Sequence, residues 1–408
     1  AKTLFPYTTL FRSDFFEQGN TETADEKRLR MAKKLIAKIG TEEKEEVNEF
    51  LLNEIKKEKN EIFTEYVDRL SPVHMNFFKG HKNTITALEL FDNSAITVGK
   101  DCRAIMWDIE TGKKTLFPQF TKKSLLTCVV NDNVAYFAGK DRHVYQFDIH
   151  NQKVINSFKA HNDYISSIVY DNVKDQLYTT SADATLKVWA LNKKGAIAIE
   201  TFWGHTDKVN DMDMMSGNRL ITCGNDNQIN LWKVDSQSFL QFKINELSVT
   251  DNIRAFDNNH FLSSTDNGTL LLWRTNKKKP IFKLSNSHGI GKKVSLNHRF
   301  FKNSEQTYEE EYCDLSSPIS AIGCIRNSDV IFTGSNDGNL NIYKYSPNDV
   351  EKIKIFKNLY LRDGVINSIK VSKNNEYAVV AHGRDNRLGR WDVIEEAVSG
   401  ISIVKLFD

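Results

Sequence analysis

The sequence predicts an all-β chain, a β-propeller of seven blades, preceded by a charged α-helical arm. Three observations carry this. One short pattern recurs seven times along the chain in register. Strand-favouring aromatics are abundant, with 25 Phe and 13 Tyr against 6 Pro. And 408 residues exceed one ordinary compact core, so the chain needs several domains or an architecture that grows by repetition.

Composition narrows the function classes. Forty per cent apolar and 26 per cent charged residues describe a globular chain, not a disordered or fibrous one. No stretch reaches the roughly 18–20 uncharged apolar residues of a membrane helix, so no membrane partner is expected. Lys+Arg 55 against Asp+Glu 53 leaves +2, so nucleic-acid binding must come from local patches. Cys102, Cys128, Cys223, Cys313 and Cys324 include no CxxC pair. Their odd number argues against a disulfide framework and against a structural zinc site, and the lack of a secretory leader pattern fits a reducing compartment.

Residues 1–14 (AKTLFPYTTLFRSD) match nothing downstream and read as a translated adaptor remnant, the native alternative being a short aromatic docking segment. Residues 21–70 form the predicted arm. Thr23 and Glu26 have capping-box spacing, and Leu29, Ala32, Leu35, Ile36 and Ile39 share one helical face. Gly40 stops that helix and Thr41 starts a second, with Val47, Phe50, Leu51, Ile55, Ile62, Tyr66 and Leu70 on its stripe. Such narrow stripes must lie either on the rest of this chain or on a partner.

The body, residues 73–408, is the repeat. An Asp or Asn stands six residues before an aromatic in GKDCRAIMWD, GKDRHVYQFD, SADATLKVWA, GNDNQINLWK, STDNGTLLLWR, GSNDGNLNIYK and HGRDNRLGRWD. The polar positions are Asp101, Asp141, Asp183, Asp226, Asn267, Asp337 and Asp385, spaced 40, 42, 43, 41, 70 and 48 apart. The aromatics include Trp107, Trp189, Trp232, Trp273 and Trp391, and His81, His161 and His205 precede their Asp by 20–22 residues. This is the WD-repeat signature, each repeat a four-stranded blade that cannot bury both faces alone. The repeating His and Asp residues are read as structural ties rather than catalytic pairs. The strand that closes the ring comes from Val73–Lys79 or from Ile401–Leu406. The 70-residue step marks an insertion within 275–312, either functional or disordered.

Catalysis finds little support. GxSxG, HExxH and a P-loop are all absent, so no enzyme activity, cofactor, metal or small-molecule substrate is expected. Binding is better founded. Lys100, Arg103, Lys140, Arg142, His143, Arg384 and Arg387 flank the turns of blades one, two and seven, which adjoin in a closed ring, and together form a basic sector suited to phosphate. Lys277, Lys278 and Lys279 open the insertion as a second basic group. Arg390 is the odd residue in the slot before the strand's aromatic, elsewhere mostly aliphatic. It needs a carboxylate, carbonyls or an external phosphate.

ETADEKRLRMAKKLI (22–36), FFKGHKNTITALEL (77–90), KKKPIFKLSNSHG (277–289) and INSIKVSKNNEYAVVAHGRDNRLGRWDVIEEA (366–397) together resemble the WD-repeat subunit of the U3 small nucleolar ribonucleoprotein. The resemblance runs from about Thr21 to Asp408. It implies a non-enzymatic scaffold joining the box B/C region of U3 small nucleolar RNA beside a small kink-binding protein. It implies other processome partners, a role in precursor ribosomal RNA processing toward 18S, and a nuclear, nucleolar location. It departs at the N-terminus, where the family's longer charged extension is missing or replaced by residues 1–14. The rival reading is a WD-repeat adaptor with purely protein partners, such as a ubiquitin-ligase substrate receptor or a chromatin-complex subunit.

Overall fold

The computed structural model describes residues 63–192, 195–215, 219–244, 248–290, 294–295, 312–313, 316–389 and 393–407. Seven four-stranded antiparallel sheets stand around a common axis. Blade one is typical: Ile85–Phe91 innermost, then Ser94–Gly99, Ala104–Asp108 and Lys114–Leu116 outermost. The innermost strands of blades two to seven are Leu125–Asn131, Ile165–Asp171, Val209–Met215, Thr250–Ala255, Ile319–Cys324 and Val365–Val371. Strand direction alternates within a blade. The turns after the second strand and the loops leading into the next blade therefore share one face, here the upper face.

Apolar side chains of adjacent blades interleave, which is why no blade stands alone. Between blades seven and one, Ile85, Leu88 and Trp107 pack with Val379, Ile401 and Ile403. Near the axis the inner strands are tied polar group to backbone all the way round. Thr86 donates to Leu125 O (2.8 Å), and Thr127 Oγ1 accepts from Ile168 N–H (3.3 Å). Ser167 donates to Met212 O (3.4 Å) and Asn210 to Thr250 O (2.9 Å). Asn252 donates to Ser320 O (3.0 Å), Ser320 to Ile366 O (2.6 Å) and Asn367 to Ile85 O (3.0 Å). The last bond joins blade seven to blade one.

Closure uses both candidate strands. Gly400–Lys405 is the third strand of blade seven and Val73–Lys79 pairs with it as the fourth. This corrects the register read from the repeat. The slot opposite Val379 is filled by Ile403, not by Trp391, and the preceding slot by Ser402, not by Arg390. Blade seven leaves its second strand at Gly383 and resumes only at Gly400, so the aromatic six residues after Asp385 was a decoy. Arg390 and Trp391 themselves lie outside the described residues.

The arm is corrected at its end. Residues 63–70 are not α-helical: Thr64 bridges Ser328, and a single 3-10 turn spans Val67–Arg69. The Asp329 carboxylate accepts from the backbone N–H groups of Tyr66 (2.7 Å) and Val67 (3.3 Å). Val67 and Leu70 are buried against Ile325, Val330, Ile342 and Leu406. Pro72 then disfavours helix for the residue before it. Residues 1–62, which carry the rest of the predicted arm, lie outside the described residues.

Candidate functional site

The upper face is organised by repeated hydrogen-bonded chains. In blade four, His205 Nδ1 faces the Asp226 carboxylate at 2.9 and 3.1 Å, and Nε2 meets Thr222 Oγ1 at 2.7 Å. The indole N–H of Trp232 donates to the same hydroxyl at 2.8 Å. The carboxylate can only accept, so it fixes the proton on Nδ1. Nε2 then accepts from Thr222, and Thr222 accepts from Trp232. His81–Asp101 with Thr97 and Trp107 (3.0, 2.9 and 2.8 Å) repeats this geometry, as does His161–Asp183 with Thr179 and Trp189 (3.0, 2.8 and 2.9 Å). Burial alone would raise Asp226, but the His205 bond and two backbone N–H groups hold the carboxyl below its ordinary value.

Glycine is required where the loop crosses the tryptophan. A Cβ at Gly80 would sit 2.2 Å from the Trp107 ring, and one at Gly204 would sit 2.7 Å from Trp232. The residue after each turn Asp or Asn in blades one to six has positive φ: Cys102, Arg142, Ala184, Asn227, Gly268 and Gly338. Asp141 lacks a histidine and accepts instead from Thr121 (2.8 Å) and the Tyr145 hydroxyl (2.7 Å).

A fourth histidine escaped the sequence reading. His288 meets Asp337 at 3.2 Å and Thr333 at 2.7 Å, although 49 residues separate it from its Asp. The extra chain falls between them. Phe282–Leu284 is the regular outer strand of blade five, so the departure from the repeat lies between His288 and Ile319.

The predicted basic sector divides. Lys100 is largely buried and faces inward: its ammonium contacts Asp385 at 2.5 Å, Asn386 O at 2.7 Å and Gly389 O at 2.8 Å. Asp385 also accepts from Thr84, with no histidine involved. Arg387 reaches across to blades three and four, donating to Asn210 O (2.6 Å) and Ser166 O (3.5 Å) with Asp211 at 4.0 Å. These two cations pin the long loop of blade seven onto the ring. Arg103 and Lys140 are half-buried, Arg142 and Arg384 exposed. His143 is half-buried and its Nδ1 meets Asp141 O at 2.8 Å. Lys277, Lys278 and Lys279 belong to the opposite face, where they line a shallow cleft with Arg274, Lys352 and Tyr345.

Among the described residues, the one cysteine in an upper-face turn, Cys102, has its thiol pushed up by burial. Cys128 and Cys223 are buried, and burial pushes both thiols well above their ordinary value, away from thiolate.

Fold and turn chemistry define a seven-bladed WD-repeat propeller. The family model described as "WD domain, G-beta repeat" matches residues 152–190 and 198–233. The chain is similar to human U3 small nucleolar RNA-interacting protein 2, with 27% identity over 94% of this chain and 82% of that protein. It is also similar to U3 snoRNP-associated protein-like EMB2271 of Arabidopsis thaliana, with 26% identity over 79% of this chain and 69% of that one. Among solved structures, the RRP9 WD40 repeats superpose with a TM-score of 0.72 at 25% identity, covering 82% of this chain and 97% of that one. The resemblance to the U3 particle's WD-repeat subunit is thus met by its relatives' names.

Proposed function

We propose that this chain is a non-enzymatic scaffold of the U3 small nucleolar ribonucleoprotein, acting in small-subunit processome assembly and in processing of precursor ribosomal RNA toward 18S. The observation that carries the reading is similarity extending over nearly the whole chain to a protein named for interaction with U3 RNA. The finer parts belong to the same proposal: the box B/C region as the RNA element, a kink-binding protein beside it, a nucleolar location, and residues 21–62 as a charged helical arm that meets partners.

The geometry revises which side chains would carry RNA. Lys100 and Arg387 are held by internal carbonyls and carboxylates, so phosphate contact falls to Arg103, Lys140, Arg142 and Arg384. The test is to purify the tagged protein from cells and sequence the RNA that accompanies it. Strong enrichment of U3 over other box C/D RNAs is expected. Recovery of protein partners without U3 would overturn the reading in favour of a propeller adaptor.

A further inference from the structure

A pocket of about 390 Å³ lies on the closing seam, where the strand Val73–Lys79 hands over to blade one. Four cationic residues line it: Lys79, Lys82, Lys114 and Arg384. Among the described residues no carboxylate lines it; the nearest, Asp101, stands behind the wall, where it accepts from the Lys82 backbone N–H at 3.0 Å and faces His81, whose other ring nitrogen meets Thr97.

Two of the cations are positioned by backbone. Arg384 donates from Nε to Ala397 O at 3.0 Å, and Lys114 donates to Lys79 O at 3.3 Å. A guanidinium held by one nitrogen keeps its other N–H groups for an external acceptor. Neither the Lys79 nor the Lys82 ammonium has a hydrogen bond or ion pair among the described residues. The opposite wall is Val398 and Ser399, the end of the long blade-seven loop, fixed by the Gly80 N–H on Ser399 O at 3.5 Å. The Ser399 hydroxyl in that wall is buried and without a hydrogen-bond partner.

Four positive side chains facing one pocket repel one another, and a bound anion relieves that repulsion. We propose that this seam pocket binds a phosphate group, and that in the working protein the group is a phosphodiester of an RNA strand. The phosphodiester assignment rests on the RNA reading above, whereas the anion site does not. A flexible strand crossing the seam would place one phosphate among Lys79, Lys82, Lys114 and Arg384 while neighbouring phosphates run toward Arg142.

The test uses the full chain in two arms. Inorganic phosphate, titrated at constant ionic strength, should raise the melting temperature of the wild type by a few degrees at saturation. A Lys114→Gln/Arg384→Gln variant should lose that rise, while Arg142→Gln keeps it. In the second arm, polyuridylate binding is followed against salt. The double variant should bind several-fold more weakly, with the slope of log K against log salt reduced by about one. No phosphate-dependent rise in the wild type would overturn the pocket, whatever RNA does. A rise abolished by the double variant, with its RNA slope unchanged, would overturn the phosphodiester and leave a small-anion site. Wild-type protein that responds to phosphate yet does not bind RNA would refute the RNA reading itself. The charge-keeping Lys114→Arg/Arg384→Lys variant separates lost charge from lost folding: it should keep most of the phosphate-dependent rise, and without phosphate both double variants should melt within a few degrees of the wild type.

Discussion

Thr222→Val is the sharpest probe of the hydrogen-bonded chains that organise the upper face. The substitution keeps the side-chain shape and removes one oxygen. That oxygen serves two buried groups, the His205 Nε2 at 2.7 Å and the Trp232 indole N–H at 2.8 Å. Both partners are buried, with the Trp232 residue and the His205 side chain each only 2% exposed. Each polar group orphaned in this way costs about 1–3 kcal/mol, so the loss should be about 2–6 kcal/mol. Blade five supplies the internal control. There, among the described residues, the Ser263 hydroxyl receives the Trp273 indole at 2.9 Å and meets no histidine. Ser263→Ala should therefore cost about 1–3 kcal/mol, one orphan instead of two.

The assay is guanidinium unfolding followed by tryptophan fluorescence, with stabilities compared only if m is unchanged. Thr222→Ser, which keeps the hydroxyl, should recover most of the loss. Equal losses for Thr222→Val and Ser263→Ala would refute the argument that one hydroxyl satisfies two buried partners. So would a Thr222→Val loss below about 1 kcal/mol.

Five further substitutions have expected outcomes. Burial pushes His382 down to about 3, so its contribution is present above pH 6.5 and is lost as pH falls from there. Burial and the nearby Asp266 push Asp251 up to about 7, so its contribution is lost as pH rises from 3.8 toward 7. These slopes oppose each other, each by at most about 1.4 kcal/mol per pH unit. His382→Leu should leave stability falling with pH across 4–6.5 and Asp251→Asn should leave it rising, both read from urea midpoints; unaltered slopes would mean the groups are solvated. Arg387→Ala should cost about 1–3 kcal/mol by freeing Asn210 O, while Asp211 keeps its closer partner Arg254 at 2.6 Å, with RNA affinity of the folded protein unchanged. Arg142→Gln should do the reverse, weakening RNA with stability within about 0.5 kcal/mol. Gly338→Ala should lower the melting point by the equivalent of at least about 1 kcal/mol, because φ is +74° and the new Cβ would stand 2.0 Å from Arg362 O.

The repeat was legible because its signals are local. An Asp, a left-handed residue and an aromatic six places on specify one turn and one strand, and the pattern survives wherever those parts stay contiguous. His288 was lost because extra chain separates it from Asp337 while the contact itself is unchanged. Blade seven misled for a related reason. Asp385 and Trp391 keep the local spacing, yet the chain leaves the sheet between Gly383 and Gly400, and Ile403 supplies the apolar contact that the tryptophan position normally makes. The roles of Lys100 and Arg387 could not be read at all. Their partners lie 285 and 177 residues away, and nothing in a run of basic residues distinguishes an internal staple from a solvent-facing charge.

The two departures from the regular spacing, 70 and 48 against 40–43, share a physical logic. One lies in the connection from blade five to blade six, the other in the turn of blade seven, and both open on the upper face. The propeller frame needs only its seven inner-strand ties and its interleaved apolar layers, none of which involve that extra chain. Length added there costs little closure entropy, since each doubling of a loop adds about 0.6 kcal/mol. The frame then holds whatever the loops carry at fixed mutual positions. In blade seven the added loop is not left free: Lys100 and Arg387 fasten its first turn to blades one, three and four, and Arg384 fastens its end through Ala397. A loop tied at both ends to a rigid ring presents Arg384 and Ser399 beside Lys79 and Lys82 with little conformational freedom left to lose. That preorganisation makes the seam, more than the lysines of the opposite face, the place where a modest number of charges can recognise a polyanion.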